Sequence, residues 1–148
     1  YRNVIGIFMN QLMQNKPLTV FGDGKQSRAF SYVKDVMPII ASSIENQESY
    51  NQIFNVGSDE VHTVIELAKI ICKEFNKELN ISYQDQRNEV LHAFSSHEKL
   101  FKYFGFEPKY KLSDGIKRMY QWAIMHGSKE TKKFSNIDIE EKLPPIWK

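Results

Sequence analysis

The 148-residue chain is poor in the residues that would suggest several common classes of protein. Cys72 is its one cysteine, so no disulfide can form within the chain, and its place in a helical pattern fits a buried structural thiol better than a nucleophile. No stretch has transmembrane length and no signal-peptide pattern is visible, which leads us to expect a cytoplasmic protein with no membrane partner. Charge of either sign is scarce in excess: 20 Lys and Arg against 18 Asp and Glu leave a net +2, which gives no reason to expect a nucleic-acid surface. The one short basic run, residues 129–133, is interrupted by Glu130 and reads as a solvated tail. Four histidines, His62, His92, His97 and His126, lack metal-ligand spacing and have no cysteine partners, so no metal site is expected. No Ser-His-acid arrangement can be argued from the sequence, and there is no internal repeat or low-complexity segment.

What is present is an alternation of helix and strand patterns in a chain long enough for one core. Residues 3–15 read as a helix with Asn3 as N-cap and Pro17 closing it. Leu18 to Phe21 reads as a buried strand, and Phe30 to Val33 as a resumed extended run. Asp35 is the expected N-cap of a second helix from Val36 to about Glu45, with Pro38 in its first turn and Val36, Ile39, Ile40 and Ile44 inward. Ile53 to Val56 reads as a short strand. Thr63 and Glu66 form a capping box opening a strongly amphipathic helix. Leu79 to Tyr83 is an alternating strand. Ser95 and Glu98 read as a second capping box, on a helix with Leu100, Phe101 and Phe104 inward that Gly105 stops. A last helix runs from Leu112 and Ser113 to near Gly127, and the Pro-rich end, docked through Trp147, reads as an extended tail. The sum is α/β with a small, mainly parallel sheet.

The chemistry is concentrated at two places. Gly22-Asp23-Gly24 follows a strand, and two glycines permit the positive φ values that turn backbone N–H groups toward one point, a place for an anion. Arg28 follows four residues later with a permanently charged fork suited to two phosphate oxygens. On spacing alone, an ordinary hairpin loop with a surface arginine also accounts for the stretch. Arg87 and Glu89 follow the later strand in the same manner, in a polar break where ligand contacts often gather. Glu89 fits a ribose contact, since a carboxylate accepts from two vicinal hydroxyls, and it equally fits a rim carboxylate paired with Arg87.

The segment FGDGKQSRAFSYVKDV resembles that of the extended short-chain dehydrogenases/reductases acting on nucleotide sugars. With the opening YRNVIGIF and the later QRNEV, it is most similar to the UDP-glucose 4-epimerase-like branch. The resemblance covers nearly the whole chain. It implies that Arg28 and Arg87 approach the diphosphate of a UDP-sugar and that Glu89 meets the ribose. This chain has Asn88-Glu89 where many members have Gly-Asp. By the same resemblance, main-chain groups at Thr19 and Phe21 read uracil, Phe21 walls the pocket, and Asn3 and Val4 contact diphosphate and base. Phe21 as core and Asn3 as a plain N-cap remain open beside these roles.

The family's glycine-rich NAD fingerprint and its catalytic Tyr-x-x-x-Lys pair are absent from the chain. The expectation is therefore a C-terminal piece of a longer polypeptide: residues 1–148 as one nucleotide-sugar-binding domain, 129–148 as tail, with no catalytic residue and no cofactor of its own. The NAD-binding Rossmann domain would lie upstream, in a homodimeric parent. A dehydratase or decarboxylase of the same superfamily, or a non-catalytic binding module of the same fold, are the alternatives.

Overall fold

A computed structural model describes residues 3–130 of the chain. The expected tail docked through Trp147 lies outside the described residues. The element order is α1 (Val4–Met13), β1 (Leu18–Phe21), β2 (Ser27–Ala29), α2 (Val33–Ser42), a 3-10 turn (Gln47–Ser49), β3 (Val61–Thr63), α3 (Val64–Glu74), β4 (Ile81–Gln84), β5 (His92–Ala93), α4 (Glu98–Phe104) and α5 (Leu112–His126). The fold is α/β, as the pattern of the sequence predicts. Strand pairing is mainly parallel: β1 runs parallel to β4, and β2 lies between antiparallel β3 and parallel β5. Among the described residues no helix is long and apolar enough to cross a membrane.

The core lies where α1, α3 and α5 cover β1. Phe8, Leu18, Leu67, Ala68, Ile71 and Leu100 are fully buried, and Val20 and Ile116 are almost so. Each helix contributes through its own period. On α3, Val64, Leu67, Ala68, Ile71 and Phe75 all fall inward, as their spacing predicts. The Thr63–Glu66 capping box forms in both directions: Glu66 N donates to Thr63 Oγ1 (3.1 Å) and Thr63 N to Glu66 Oε2 (2.7 Å). Cys72 is buried in this core, and burial raises its thiol above the ordinary value. Asn3 caps α1, accepting from Gly6 N at 3.3 Å. Gly105 and Gly127 close α4 and α5 with positive φ, 57° and 71°.

Several local expectations are corrected. The second strand is Ser27–Ala29, and Val33 already belongs to α2, so Asp35 lies inside the first turn instead of capping it. Asp35 is buried and accepts from Lys109 N (3.0 Å) and Tyr110 N (3.2 Å), a tertiary use that outweighs a local cap. Pro38 is consequently inside the helix. With Asp35 and Ile39 inward, the stripe of Val33, Met37, Ile40 and Ile44 turns outward, and Ile44 is 73% exposed. Residues 53–56 form no strand, and Ile53 is exposed, because no strand among the described residues pairs with them. The Ser95–Glu98 capping box does not form. The helix starts at Glu98, so Glu98 N donates instead to Ser96 Oγ (3.3 Å), and Phe101 points outward at 57% exposure.

Candidate nucleotide-diphosphate site

Parallel pairing of β1 with β4 sets their carboxyl ends side by side, Phe21 opposite Gln84. The loops that follow, Gly22–Gly24 and 85–89, therefore meet, in the position where open α/β sheets bind ligands. Gly22 and Gly24 have φ of 67° and 72°, as a tight loop of this kind requires. A Cβ at Gly22 would stand 3.3 Å from Gln86 Cγ, and one at Gly24 would stand 2.6 Å from Ile65 Cδ1, so both glycines let protein approach closely. Asp23 accepts from Lys25 N (3.0 Å), and that backbone bond, aided by the Lys25 ammonium, holds its carboxyl below the ordinary value.

The structure brings four of the expected site residues together. The Arg28 guanidinium meets the Glu89 carboxylate at 3.4 Å. It also donates to the carbonyls of Ser27 (2.7 Å) and Leu91 (3.2 Å), which anchors it beside β5. Arg87 is half-buried, with its guanidinium carbon 3.3 Å from the centroid of the Phe21 ring. Burial pushes Arg87 below the ordinary arginine value, opposed by the nearby Glu89 charge. Glu89 thus pairs with Arg28 across the chain, and its charge also acts on Arg87. Phe21 is half-buried and lies outside the fully buried core, its ring carrying the Arg87 guanidinium.

Gln26 ties the two loops to each other and was not singled out by sequence reasoning. Its buried side-chain amide donates to Phe21 O (3.0 Å) and to Glu89 Oε1 (3.5 Å), linking β1 to the Glu89 carboxylate. Its place inside GDGKQSR was the available signal. Thr19 lies further back on β1. Leu18 N and Gly22 N donate to the β4 side, to Asn80 O (2.8 Å) and Gln84 O (2.9 Å), so the main-chain groups of Thr19 and Phe21 face the opposite edge. Asn3 caps α1, and Val4, at the start of that helix, is partly buried against the core.

Elsewhere, Asp59, His97 and Ser95 form a hydrogen-bonded chain, 2.6 Å from Asp59 Oδ1 to His97 Nδ1 and 3.1 Å from His97 Nε2 to Ser95 Oγ. It joins the loop before β3 to the start of α4. Among the described residues no three His, Cys, Asp or Glu side chains converge as metal ligands would.

The arrangement is one in which two cations, one carboxylate, a ring and a strand edge share a single end of a parallel pair. Residues 1–57 match the NAD dependent epimerase/dehydratase family. The chain is 31% identical over 117 residues to UDP-glucuronic acid decarboxylase 2 of Arabidopsis thaliana, covering 78% of this chain and 26% of that protein. It is 31% identical over 119 residues to a putative UDP-glucose 4-epimerase of Methanocaldococcus jannaschii, covering 80% of this chain and 38% of the relative. The matched part thus spans about a quarter to two-fifths of these relatives' length. Among solved structures it is similar to UDP-N-acetylglucosamine 4-epimerase from Methanobrevibacter ruminantium in complex with UDP-N-acetylmuramic acid, with a TM-score of 0.78 and 26% identity over 85% of this chain and 40% of that one. Over residues 1–57 the chain thus carries the pattern of the NAD dependent epimerase/dehydratase family, and over most of its length it is similar to nucleotide-sugar enzymes.

Proposed function

We propose that this chain binds the uridine diphosphate part of a UDP-sugar, as the nucleotide-holding portion of an epimerase of the UDP-glucose 4-epimerase type. The observation that supports it most is the meeting of Arg28, Arg87 and Glu89 at the carboxyl ends of β1 and β4. Two guanidinium groups suit two adjacent phosphates, and each can bind an anion through a planar fork. In the ligand-bound state Glu89 exchanges part of its pairing with Arg28 for the ribose hydroxyls. The Thr19–Phe21 edge takes the base, and Phe21 walls it. Asn3 and Val4, at the start of α1, approach the diphosphate and base.

The Gly22–Gly24 loop does not fit NAD. Its two glycines make room for Gln86 and Ile65 of the chain itself, and the loop leads into a strand instead of a helix N-terminus. In this reading residues 1–148 act as one binding domain. The Rossmann part that holds NAD, and the residues that meet the reacting sugar carbon, belong to the remainder of a homodimeric enzyme.

Calorimetric titration with UDP tests the reading. Arg28→Ala and Arg87→Ala should each weaken binding by about 1.5–3 kcal/mol, the range for a charged hydrogen bond. Normal UDP affinity in both variants would overturn it. A decarboxylase reading is supported by the similarity to the plant UDP-glucuronic acid decarboxylase. It predicts the same UDP site, and the two are separated by offering UDP-glucose or UDP-glucuronic acid to a full-length parent and identifying the product.

A further inference from the structure

Gln11 stands in no recognised motif, yet its side-chain amide meets Thr19 twice. Gln11 Nε2 donates to Thr19 Oγ1 at 2.8 Å, and Thr19 N donates to Gln11 Oε1 at 3.2 Å. Both residues are half-buried, and the clasp joins the second turn of α1 to the middle of β1.

The position of that clasp matters because, among the described residues, β1 has a strand partner on one side only. Along the other side the main chain offers, in order, Thr19 N–H, Thr19 C=O, Phe21 N–H and Phe21 C=O. Gln11 occupies the first of these and Gln26 the last. Among the described residues no partner takes the acceptor and the donor between them, Thr19 C=O and Phe21 N–H. That pair is complementary to an imide, an N–H beside a C=O, which is the edge uracil presents.

We propose that Gln11 is a positioning residue that sets base specificity. By taking the Thr19 N–H and fixing β1 against α1, it leaves an edge that accepts the imide of uracil and refuses the acceptor-rich edge of cytosine. This rests on the uridine diphosphate reading above. The diphosphate, held by Arg28 and Arg87, prevents the base from sliding to a compensating register. Loss of Gln11 releases a second donor beside the Thr19 carbonyl, and that donor suits cytosine.

The test is calorimetric titration of the 148-residue chain with UDP, CDP and inorganic pyrophosphate, in wild type, Gln11→Met and Gln11→Glu. Wild type should prefer UDP over CDP by about tenfold or more, the worth of one mismatched hydrogen bond. Gln11→Met should reduce that ratio to about threefold or less while pyrophosphate affinity stays unchanged. Gln11→Glu still accepts from the Thr19 N–H and reverses the other bond, the Thr19 hydroxyl now donating to the carboxylate, so it should keep the wild-type ratio; because the ratio compares ligands of equal charge, the added carboxylate cancels. A full UDP preference in Gln11→Met would overturn the role of Gln11 alone. No UDP preference in wild type would overturn the uridine reading, and this inference with it. Amide hydrogen exchange of the wild-type chain decides the matter without any variant. The Thr19 amide should exchange slowly with and without UDP, and the Phe21 amide should slow only when UDP is added. A Thr19 amide that exchanges fast and is slowed by UDP would overturn the proposal.

Discussion

Arg87 lies over Phe21, 3.3 Å from guanidinium carbon to ring centroid, although 66 positions separate the two in the chain (87 − 21). The contact exists because β1 and β4 are parallel neighbours in register, so the residues just past both strands converge. Stacking and a planar fork are both arginine properties. Arg87→Lys, which keeps the charge and loses the plane, should therefore weaken UDP binding by about 1 kcal/mol, less than removal of the side chain. Titration with UDP measures it; identical affinity in the Lys form would mean that charge alone is read there.

Asp35 is the buried tie between α2 and the segment before α5, which also packs Tyr110 against Tyr32 at 5.0 Å between ring centroids. Asp35→Ala leaves the Lys109 and Tyr110 N–H groups without their acceptor. The expected loss is about 2–4 kcal/mol, from two unsatisfied donors, and Asp35→Asn should lose less. Urea unfolding reads both, and an unchanged midpoint for the Ala variant would show that water or other groups replace the bonds freely.

Gly24→Ala combines a positive φ of 72° with a Cβ 2.6 Å from Ile65 and 3.0 Å from Val20. Strain and overpacking together should cost about 2–4 kcal/mol. The paired variant Gly24→Ala with Ile65→Val should recover part of the loss if the clash with Ile65 is real, and recover nothing if backbone strain is the whole cause. Thermal midpoints of the two variants separate these outcomes.

The Glu66 carboxyl is held below its ordinary value, first by the Thr63 backbone N–H and then by the Thr63 hydroxyl. A carboxyl lowered on folding adds stability above its unfolded value, and that stability is lost as pH falls through the folded value. The thermal midpoint should therefore drop as pH is taken from about 6 to about 3, where carboxylates titrate. Glu66→Gln accepts the same bonds without titrating, so its midpoint should fall less steeply over that window. Parallel pH profiles for the two would remove Glu66 as a contributor.

Local signals in the sequence determined much of this fold. The period of Val64, Leu67, Ala68, Ile71 and Phe75 placed α3, and Thr63 with Glu66 placed its start, because a capping box closes within four residues. Leu18–Phe21 and the two glycines determined β1 and its turn, since φ/ψ preference is a property of the residue itself. Arg28, Arg87, Phe21 and Glu89 were legible as candidates from their residue types and from a resemblance. Only the tertiary structure decided which groups meet. Glu89 pairs with Arg28, 61 positions away, because the strand pairing brings residues 28 and 89 to one end, while the loop turns Arg87 onto Phe21. Asp35 reads locally as an ideal cap, yet two backbone donors 74 and 75 positions away draw it inward and turn Ile40 and Ile44 out. Ile53 to Val56 has strand character without a strand, since β structure requires a hydrogen-bonding neighbour and no residue can supply that from its own preference.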